Sequence, residues 1–265
     1  MSGWALGPLR RVRPARPFTA DSGPWSRALE QTRLDSWRLL KRQDRRTVHA
    51  GTLLGRAVVV KSVRLDRRRD RLRLALGLLP LRRQCRGARR LERAGLPVSR
   101  VLAICDARCE QGPIALAVFE AIDGPTLLHA WAEGRPSVDR AHALARAAGW
   151  LVRRIAGAGL RYRDCKPSNL ILAAPACSDA LPTLVIIDPD GVRRGGSADR
   201  PAMLASLWLE PTGVGRRPSR SMAVCACRAA ADGGEWKALF RKAAEIVAAH
   251  GDPTPRVNPL APTEA

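Results

Sequence analysis

No uncharged run in the 265-residue sequence approaches the roughly 18 residues that a membrane-spanning helix needs. Acidic residues are also scarce. Asp and Glu number 24 against 46 Lys and Arg, giving a formal net charge of +22 and a pI near 11.4. Such a field draws polyanions: an anionic membrane surface, a phosphate-rich substrate or nucleic acid. Arginine placed on every solvated face would give the same total, so charge alone selects no partner, and nucleic acid is the least favoured of the three. The seven cysteines are odd in number and scattered. Cys105/Cys109 and Cys225/Cys227 are close pairs, but no further pair or histidine follows at finger-like spacing, which argues against a zinc finger. Reduced thiols in a cytosolic protein are the simpler reading.

Apolar residues make up 46% of the chain, enough for a sizeable core or for two lobes. The first 28 residues are basic and interrupted by Pro8, Pro14, Pro17 and Pro24, which suits a flexible arm better than a signal peptide. Thr47 to Arg64 reads as a hairpin whose second strand, Ala57-Val58-Val59-Val60, ends in Lys61. Asp66 to Ala94 is helical in composition, with a break or restart at Pro80 and a stop at Gly95-Leu96-Pro97. Its basic stretch, Arg67 to Arg90, suits either an anionic membrane surface or a helix packed by its leucines on a sheet, and the second is favoured. Two strands follow, Val101–Ile104 and Ile114–Phe119, around a polar turn at Asp106–Gly112.

Beyond Glu120 the pattern turns helical. Helices are expected at Thr126–Ala132, Ser137–Gly157, Pro201–Glu210 and Glu235–His250. In the second, Trp150, Val152 and Ile155 supply the candidate buried stripe. In the last, the apolar face is Leu239, Phe240, Ile246 and Val247. Short strands at Leu170–Leu172 and Leu184–Ile187 flank an irregular insert at 173–183. The resulting expectation is an α+β chain: an arm (1–28), a small sheet-rich lobe (29–119), a larger helical lobe (120–250) and a Pro-rich tail (251–265).

The chemistry concentrates in Y-R-D-C-K-P-S-N at 162–169 and in Leu184-Val185-Ile186-Ile187, a run that delivers Asp188. Asp164, in a loop after a helix, can accept the proton of an attacking hydroxyl. Lys166 can neutralise charge on a phosphoryl group in transfer. Asn169 and Asp188 offer the hard oxygen ligands that Mg²⁺ prefers. Lys61, at the end of a β-branched strand, can pair the α- and β-phosphates of ATP. Either polar turn alone would be unremarkable. Both in this order, flanked by these strands, point to phosphoryl transfer.

These segments, with A-G-L-P-V at 94–98, F-E-A-I-D-G at 119–124 and I-I-D-P-D-G-V-R at 186–193, resemble the bacterial lipopolysaccharide kinase family within the protein-kinase-like superfamily. The resemblance runs from about Thr47 to Glu245. It implies a two-lobed kinase-like fold and an ATP- and Mg²⁺-dependent transfer to a sugar hydroxyl of a lipopolysaccharide-core-like glycolipid. It also implies a cytoplasmic site of action, peripheral at the inner membrane. Asp164 would be the base, Asn169 and Asp188 the metal ligands, Lys61 the phosphate anchor, and Glu120 a further member of the cofactor-binding set. The chain departs from the pattern three times. Tyr162 stands where kinases usually carry histidine. The family's spacing places Gln84, not a glutamate, opposite Lys61, with Glu92 as the other acidic candidate. Gly51 and Gly55 do not make the phosphate-covering G-x-G-x-x-G. A protein Ser/Thr kinase and a non-catalytic nucleotide- or polyanion-binding module are the competing readings.

Overall fold

The computed structural model describes residues 8–15, 23–43, 45–76, 78–132, 136–173, 182–255 and 258–260. The chain divides into two compact units. Among the described residues the first takes those through Arg89 together with Ser99–Ala121, and the second takes Arg90–Val98 and those from Ile122 onward. The division thus falls two residues past the expected junction, and the end of one N-terminal helix belongs with the second unit.

The first unit is built on a six-stranded antiparallel sheet in the order β1-β5-β6-β4-β3-β2. Its elements are β1 (Arg10–Pro14), α1 (Gly23–Glu30), β2 (Arg38–Gln43), β3 (Arg46–Leu53), β4 (Arg56–Arg64), α2 (Arg68–Ala75), α3 (Pro80–Arg93), β5 (Val101–Cys109) and β6 (Gly112–Glu120). Strand alternation sends Val58, Val60, Leu116 and Val118 to one face, where they form a core with Trp25 and Leu29 of α1. Lys61, one residue out of phase, emerges on the other face. Pro80 opens α3, where its missing N–H is no loss.

Three expectations are corrected here. The arm expected at 1–28 contains an edge strand and a helix. Leu9, Val12 and Ala15 are buried, Pro14 pairs with Cys105, and the Val12 N–H donates to Glu30 Oε1 at 2.7 Å. An edge position tolerates Pro14 because its absent donor would have faced solvent. The polar turn expected at Asp106–Gly112 shrinks to Glu110-Gln111, because β5 continues with Ala107 and Cys109 inward. Asp106 faces the other way, where Arg82 donates to both its oxygens at 3.1 Å. Finally, the leucines of the basic stretch do not all pack on a sheet: Leu72, Leu76 and Leu78 are exposed. The one acid of α2, Asp70, is buried and paired with Arg45.

The second unit comprises α4 (Leu127–Ala132), α5 (Val138–Gly157), β7 (Leu160–Tyr162), β8 (Leu170–Ala173), β9 (Thr183–Ile186), β10 (Val192–Arg194), α6 (Arg200–Gly213), α7 (Arg220–Ala230) and α8 (Trp236–Ala249). The Ser137 side chain caps α5 by accepting from the Arg140 N–H. Leu144, Leu151, Val152 and Ile155 form its buried stripe, whereas Trp150 is half exposed, its ring covered by Arg154. Helix α7, unforeseen, packs against α5. It holds Cys225 and Cys227 two residues apart, which on a helix turns them to different faces. Burial pushes the Cys227 thiol up to about 12. The apolar face expected on α8 is only partly covered: Ala243 is buried and Ile246 is exposed. Of the expected insert, residues 174–181 lie outside the described residues. The described part of the tail carries no helix or strand. Among the described residues no helix is long and apolar enough to cross a membrane, and no group of three or more His, Cys, Asp or Glu could hold a metal.

Candidate active site

In the first unit, Lys61 projects from β4 toward α3, and its Nζ donates to Gln84 Oε1 at 3.2 Å. The same ammonium lies 5.1 Å from the centre of the Phe119 ring, close enough for a cation–π contact. Glu92, the acidic alternative, is exposed near the end of α3. The neutral amide therefore takes the place that the sequence left open. Glu120 ends β6. Its carboxylate receives Arg100 Nε at 3.0 Å, and its backbone carbonyl receives the Ser99 hydroxyl at 2.7 Å.

The stretch between β3 and β4 has no loop to spare. Leu53 pairs with Arg56, and Leu54 and Gly55 alone make the turn, both with positive φ (52° and 71°). This is the two-residue hairpin geometry that matches strand twist. Gly51 is explained by packing: a side chain there would run into the Trp37 indole, 2.2 Å from the nearest atom. Neither glycine belongs to an extended phosphate-covering loop.

In the second unit, the sequence Y-R-D-C-K-P-S-N folds as the end of β7, a turn and a single 3-10 turn at Pro167–Asn169. The backbone carbonyl of Asp164 organises it, receiving the Lys166 N–H at 2.8 Å and Asn169 Nδ2 at 3.0 Å. With its amide nitrogen so engaged, Asn169 has its side-chain oxygen left for a ligand. The Asp164 carboxylate is half-buried and receives Arg163 at 3.3–3.4 Å. Strand β8 pairs with β9, and the Ile187 N–H donates to the Asn169 carbonyl at 3.0 Å. That bond delivers Asp188 beside Asn169. Asp188 Oδ1 is buried with no hydrogen-bond partner. Leaving a carboxylate oxygen in that condition is costly unless a ligand completes it.

Tyr162, the departure from histidine, is fully buried, and its hydroxyl donates to the Asp188 carbonyl at 2.6 Å. Burial, with the Asp188 charge adding to it, holds this phenol well above its usual range, so it stays a donor. The residue ties the loop before Asp164 to the strand end that carries Asp188. Cys165 is an inert neighbour, its thiol pushed up to about 12 by complete burial.

Sequence reasoning missed Glu210 of α6. Its carboxylate is 9% exposed and receives the Ser168 N–H at 2.7 Å and the Ser168 hydroxyl at 2.5 Å, with Lys166 Nζ 3.7 Å away. It clamps the turn between Lys166 and Asn169. The available signal was a lone acid in an otherwise apolar and neutral helix interior, L-W-L-E-P.

The structure thus brings Asp164, Lys166, Asn169 and Asp188 into one loop system in the second unit, and Lys61 and Gln84 together in the first. Two oxygen donors, one an orphaned carboxylate oxygen, fit Mg²⁺, which takes few protein ligands and keeps several waters.

Comparison with known proteins bears on the fold and the family. The solved structure "WaaP in complex with acyl carrier protein" matches with a TM-score of 0.55, covering 90% of this chain and 95% of that one. At 19% identity the likeness speaks for the fold, and it confirms the expected α+β kinase-like architecture, sheet-rich first and helical second. No curated protein matches the chain. The family model described as "Lipopolysaccharide kinase (Kdo/WaaP) family" matches residues 29–200, well over half of the sequence. With that match, the chain belongs to the lipopolysaccharide kinase (Kdo/WaaP) family and is a kinase.

Proposed function

We propose that this kinase transfers the γ-phosphoryl group of ATP, with Mg²⁺, to a sugar hydroxyl of a lipopolysaccharide-core-like glycolipid. The observation that carries the reading is the buried, unpartnered Oδ1 of Asp188 beside Asn169. Asn169 and Asp188 would hold Mg²⁺, which neutralises phosphate charge when bound. Asp164 orients the acceptor hydroxyl and takes its proton as the O–P bond forms. Its half-buried carboxylate stands on a backbone fixed by two hydrogen bonds. Lys166 brings a positive charge to the same loop, held near Glu210. Lys61 anchors the α- and β-phosphates, with Gln84 holding its ammonium in direction without cancelling its charge. Glu120 enters the nucleotide-binding set on the family resemblance alone, since its carboxylate is engaged by Arg100, its carbonyl by the Ser99 hydroxyl and its N–H by the Arg100 carbonyl.

ATP as donor and a glycolipid as acceptor set the reaction at the cytoplasmic face of the inner membrane. The outward leucines of α2 and of the segment after it, Leu72, Leu76 and Leu78, support that location. They stand among exposed Arg67, Arg68, Arg69 and Arg73, a combination that suits anionic lipid.

The test is Asp188→Ala in the full chain, assayed with labelled ATP and a purified core glycolipid. Transfer should fall by at least about a thousandfold, given the electrostatic share that such metal sites supply, while far-UV circular dichroism is unchanged. Normal transfer by a folded variant would refute the metal assignment.

A further inference from the structure

Seven large apolar side chains are exposed among the described residues, and three of them stand within seven positions: Leu72 (61% exposed), Leu76 (62%) and Leu78 (51%). Scattered singly, exposed leucines need no explanation; gathered, they mark a contact surface. The helix at which they gather, α2, is also turned inside out. Its one acid, Asp70, is buried and paired with Arg45, while Leu72 faces solvent. Folding in water favours the reverse order.

Helical spacing accounts for the arrangement. Leu72 and Leu76, four residues apart, share one face, and Asp70, two before Leu72, turns to another. Arg68 and Arg69 precede Leu72 by four and three residues, and Arg73 precedes Leu76 by three, so these arginines flank the leucines. Both ends of the segment are pinned. Leu65 before the helix is buried, its N–H on the Pro113 carbonyl at 2.9 Å, and Leu79 after it is buried as well.

Charge follows the same division. Asp66 pairs with Arg64 at 2.7 Å and Asp70 with Arg45, so both acids of the segment are met by arginines from outside the helix. Arg67, Arg68, Arg69 and Arg73 are exposed, and none has an acidic partner among the described residues. The outward face is therefore cationic and apolar at once. Nucleic acid would use the arginines and leave three leucines in water. An anionic phospholipid surface uses both kinds of residue: guanidinium groups fork onto headgroup phosphates, and leucines pass below them into the acyl boundary. We infer that α2 and the segment after it form a membrane-docking element, with Leu72, Leu76 and Leu78 entering an anionic phospholipid bilayer and Arg67, Arg68, Arg69 and Arg73 holding its headgroup phosphates. The inference deepens the location proposed above by naming the surface and the lipid, and its kinetic test alone rests on the glycolipid acceptor.

The binding test sediments the full-length protein with vesicles of mixed phosphatidylglycerol and phosphatidylcholine, and with phosphatidylcholine alone. At a net charge of +22 any anionic vesicle attracts the chain, so the deciding variant keeps every charge. Leu72→Ser with Leu76→Ser should weaken binding to the mixed vesicles about tenfold or more, given what burial of a leucine side chain contributes. Val138→Ser, which removes an exposed apolar side chain from the second unit, should bind as wild type does. Arg68→Gln with Arg69→Gln should weaken binding about fivefold for each arginine, with a smaller effect at high salt. Wild type should bind phosphatidylcholine alone far more weakly. The kinetic test presents the core glycolipid in the mixed vesicles or in neutral detergent micelles. The leucine variant should raise KM on vesicles by a similar factor, keep kcat, and match wild type in micelles. Vesicle binding indifferent to the leucines would overturn the docking element and leave adhesion by net charge. A leucine-dependent dimer in lipid-free solution, with vesicle binding unchanged, would overturn it in favour of a second copy of the chain. Leucine-dependent vesicle binding by a protein that transfers no phosphate would uphold the docking element and count against the acceptor alone.

Discussion

Glu210 offers the sharpest test of how the 162–169 loop is held. In Glu210→Ala two hydrogen bonds to a charged acceptor disappear, the Ser168 N–H at 2.7 Å and the Ser168 hydroxyl at 2.5 Å. Bonds of this kind contribute about 1.5–3 kcal/mol each. The Ser168 hydroxyl can turn to water, so its loss is partly recovered, and the Lys166 pair at 3.7 Å adds little because that lysine is half exposed. The expected destabilisation is about 3 kcal/mol. Glu210→Gln is milder. Its amide oxygen can still accept the Ser168 N–H, and its amide nitrogen can donate to the Ser168 oxygen. Only the charge is lost, at about 1 kcal/mol. Urea denaturation of the three proteins, compared at equal m, reads the difference directly. The same order should appear in catalysis, because Ser168 sits between Lys166 and Asn169: kcat falls about tenfold or more in Glu210→Ala and much less in Glu210→Gln. Equal stability of the two variants, or Glu210→Ala within 0.5 kcal/mol of wild type (about the size of an ordinary surface substitution), would refute the clamp.

Three further outcomes are expected. Tyr162→Phe removes the 2.6 Å bond to the Asp188 carbonyl and should cost about 1–2 kcal/mol in urea, with a lower kcat as the strand end carrying Asp188 loosens; wild-type stability would show the bond to be idle. Gln84→Glu converts the neutral partner of Lys61 into an ion pair on an arginine-rich helix and should raise stability by about 1 kcal/mol, whereas a lower Tm would mean that the lysine does not turn toward position 84. His49 is buried with Nδ1 unpartnered, and burial, with Arg42 adding to it, holds its pKa below the usual value. The folded state thus favours the neutral ring. Its contribution is intact above the ordinary histidine value near pH 6.5 and is lost as pH falls below that toward the depressed folded value. Tm should drop between pH 7.5 and 5.5, and His49→Gln should flatten the slope; an unchanged slope would remove His49 as its cause.

What the sequence disclosed and what it withheld divide along a physical line. The loop at 162–169 and the strand leading to Asp188 were legible because their chemistry sits in side-chain types at short, fixed separations. The hairpin ending in Lys61 was legible because a β-branched run, Val58-Val59-Val60, leads into it. Even Gln84 was reachable, because the spacing of the family it resembles can be counted back from A-G-L-P-V at 94–98. Strand β1 was hidden because a basic, Pro-rich segment has the composition of a disordered arm. Only Leu9, Val12 and Ala15 pack, and the pairing partner lies more than 90 residues away. Trp150 was misplaced because hydrophobicity was read as burial. Its ring lies under Arg154 on the solvent side of α5.

Glu210 and the arginines facing each other across β7 and β10 share the cause of their concealment. Each depends on a contact that local periodicity cannot encode: Ser168 to Glu210 across 42 residues, and Arg161 opposite Arg193 across 32. The two contacts also lie on either side of Asp164 in the chain's loop system. One supplies negative charge that fixes the turn carrying Lys166 and Asn169. The other gathers positive charge on the strand pair that leads into the Asp164 turn. In a chain of net charge +22, an arginine pair is easily dismissed as one more solvated surface. Its register in the ladder separates it from that background: nothing in the solvation of a strand requires two arginines to face each other, and of the two only Arg161 meets an acid, Asp199, among the described residues. The consequence is measurable without any substrate. Saturating phosphate should raise the Tm of the wild-type protein more than that of Arg193→Ala, since a ligand stabilises the folded state only through the sites it fills. An equal rise in both would return Arg193 to the surface.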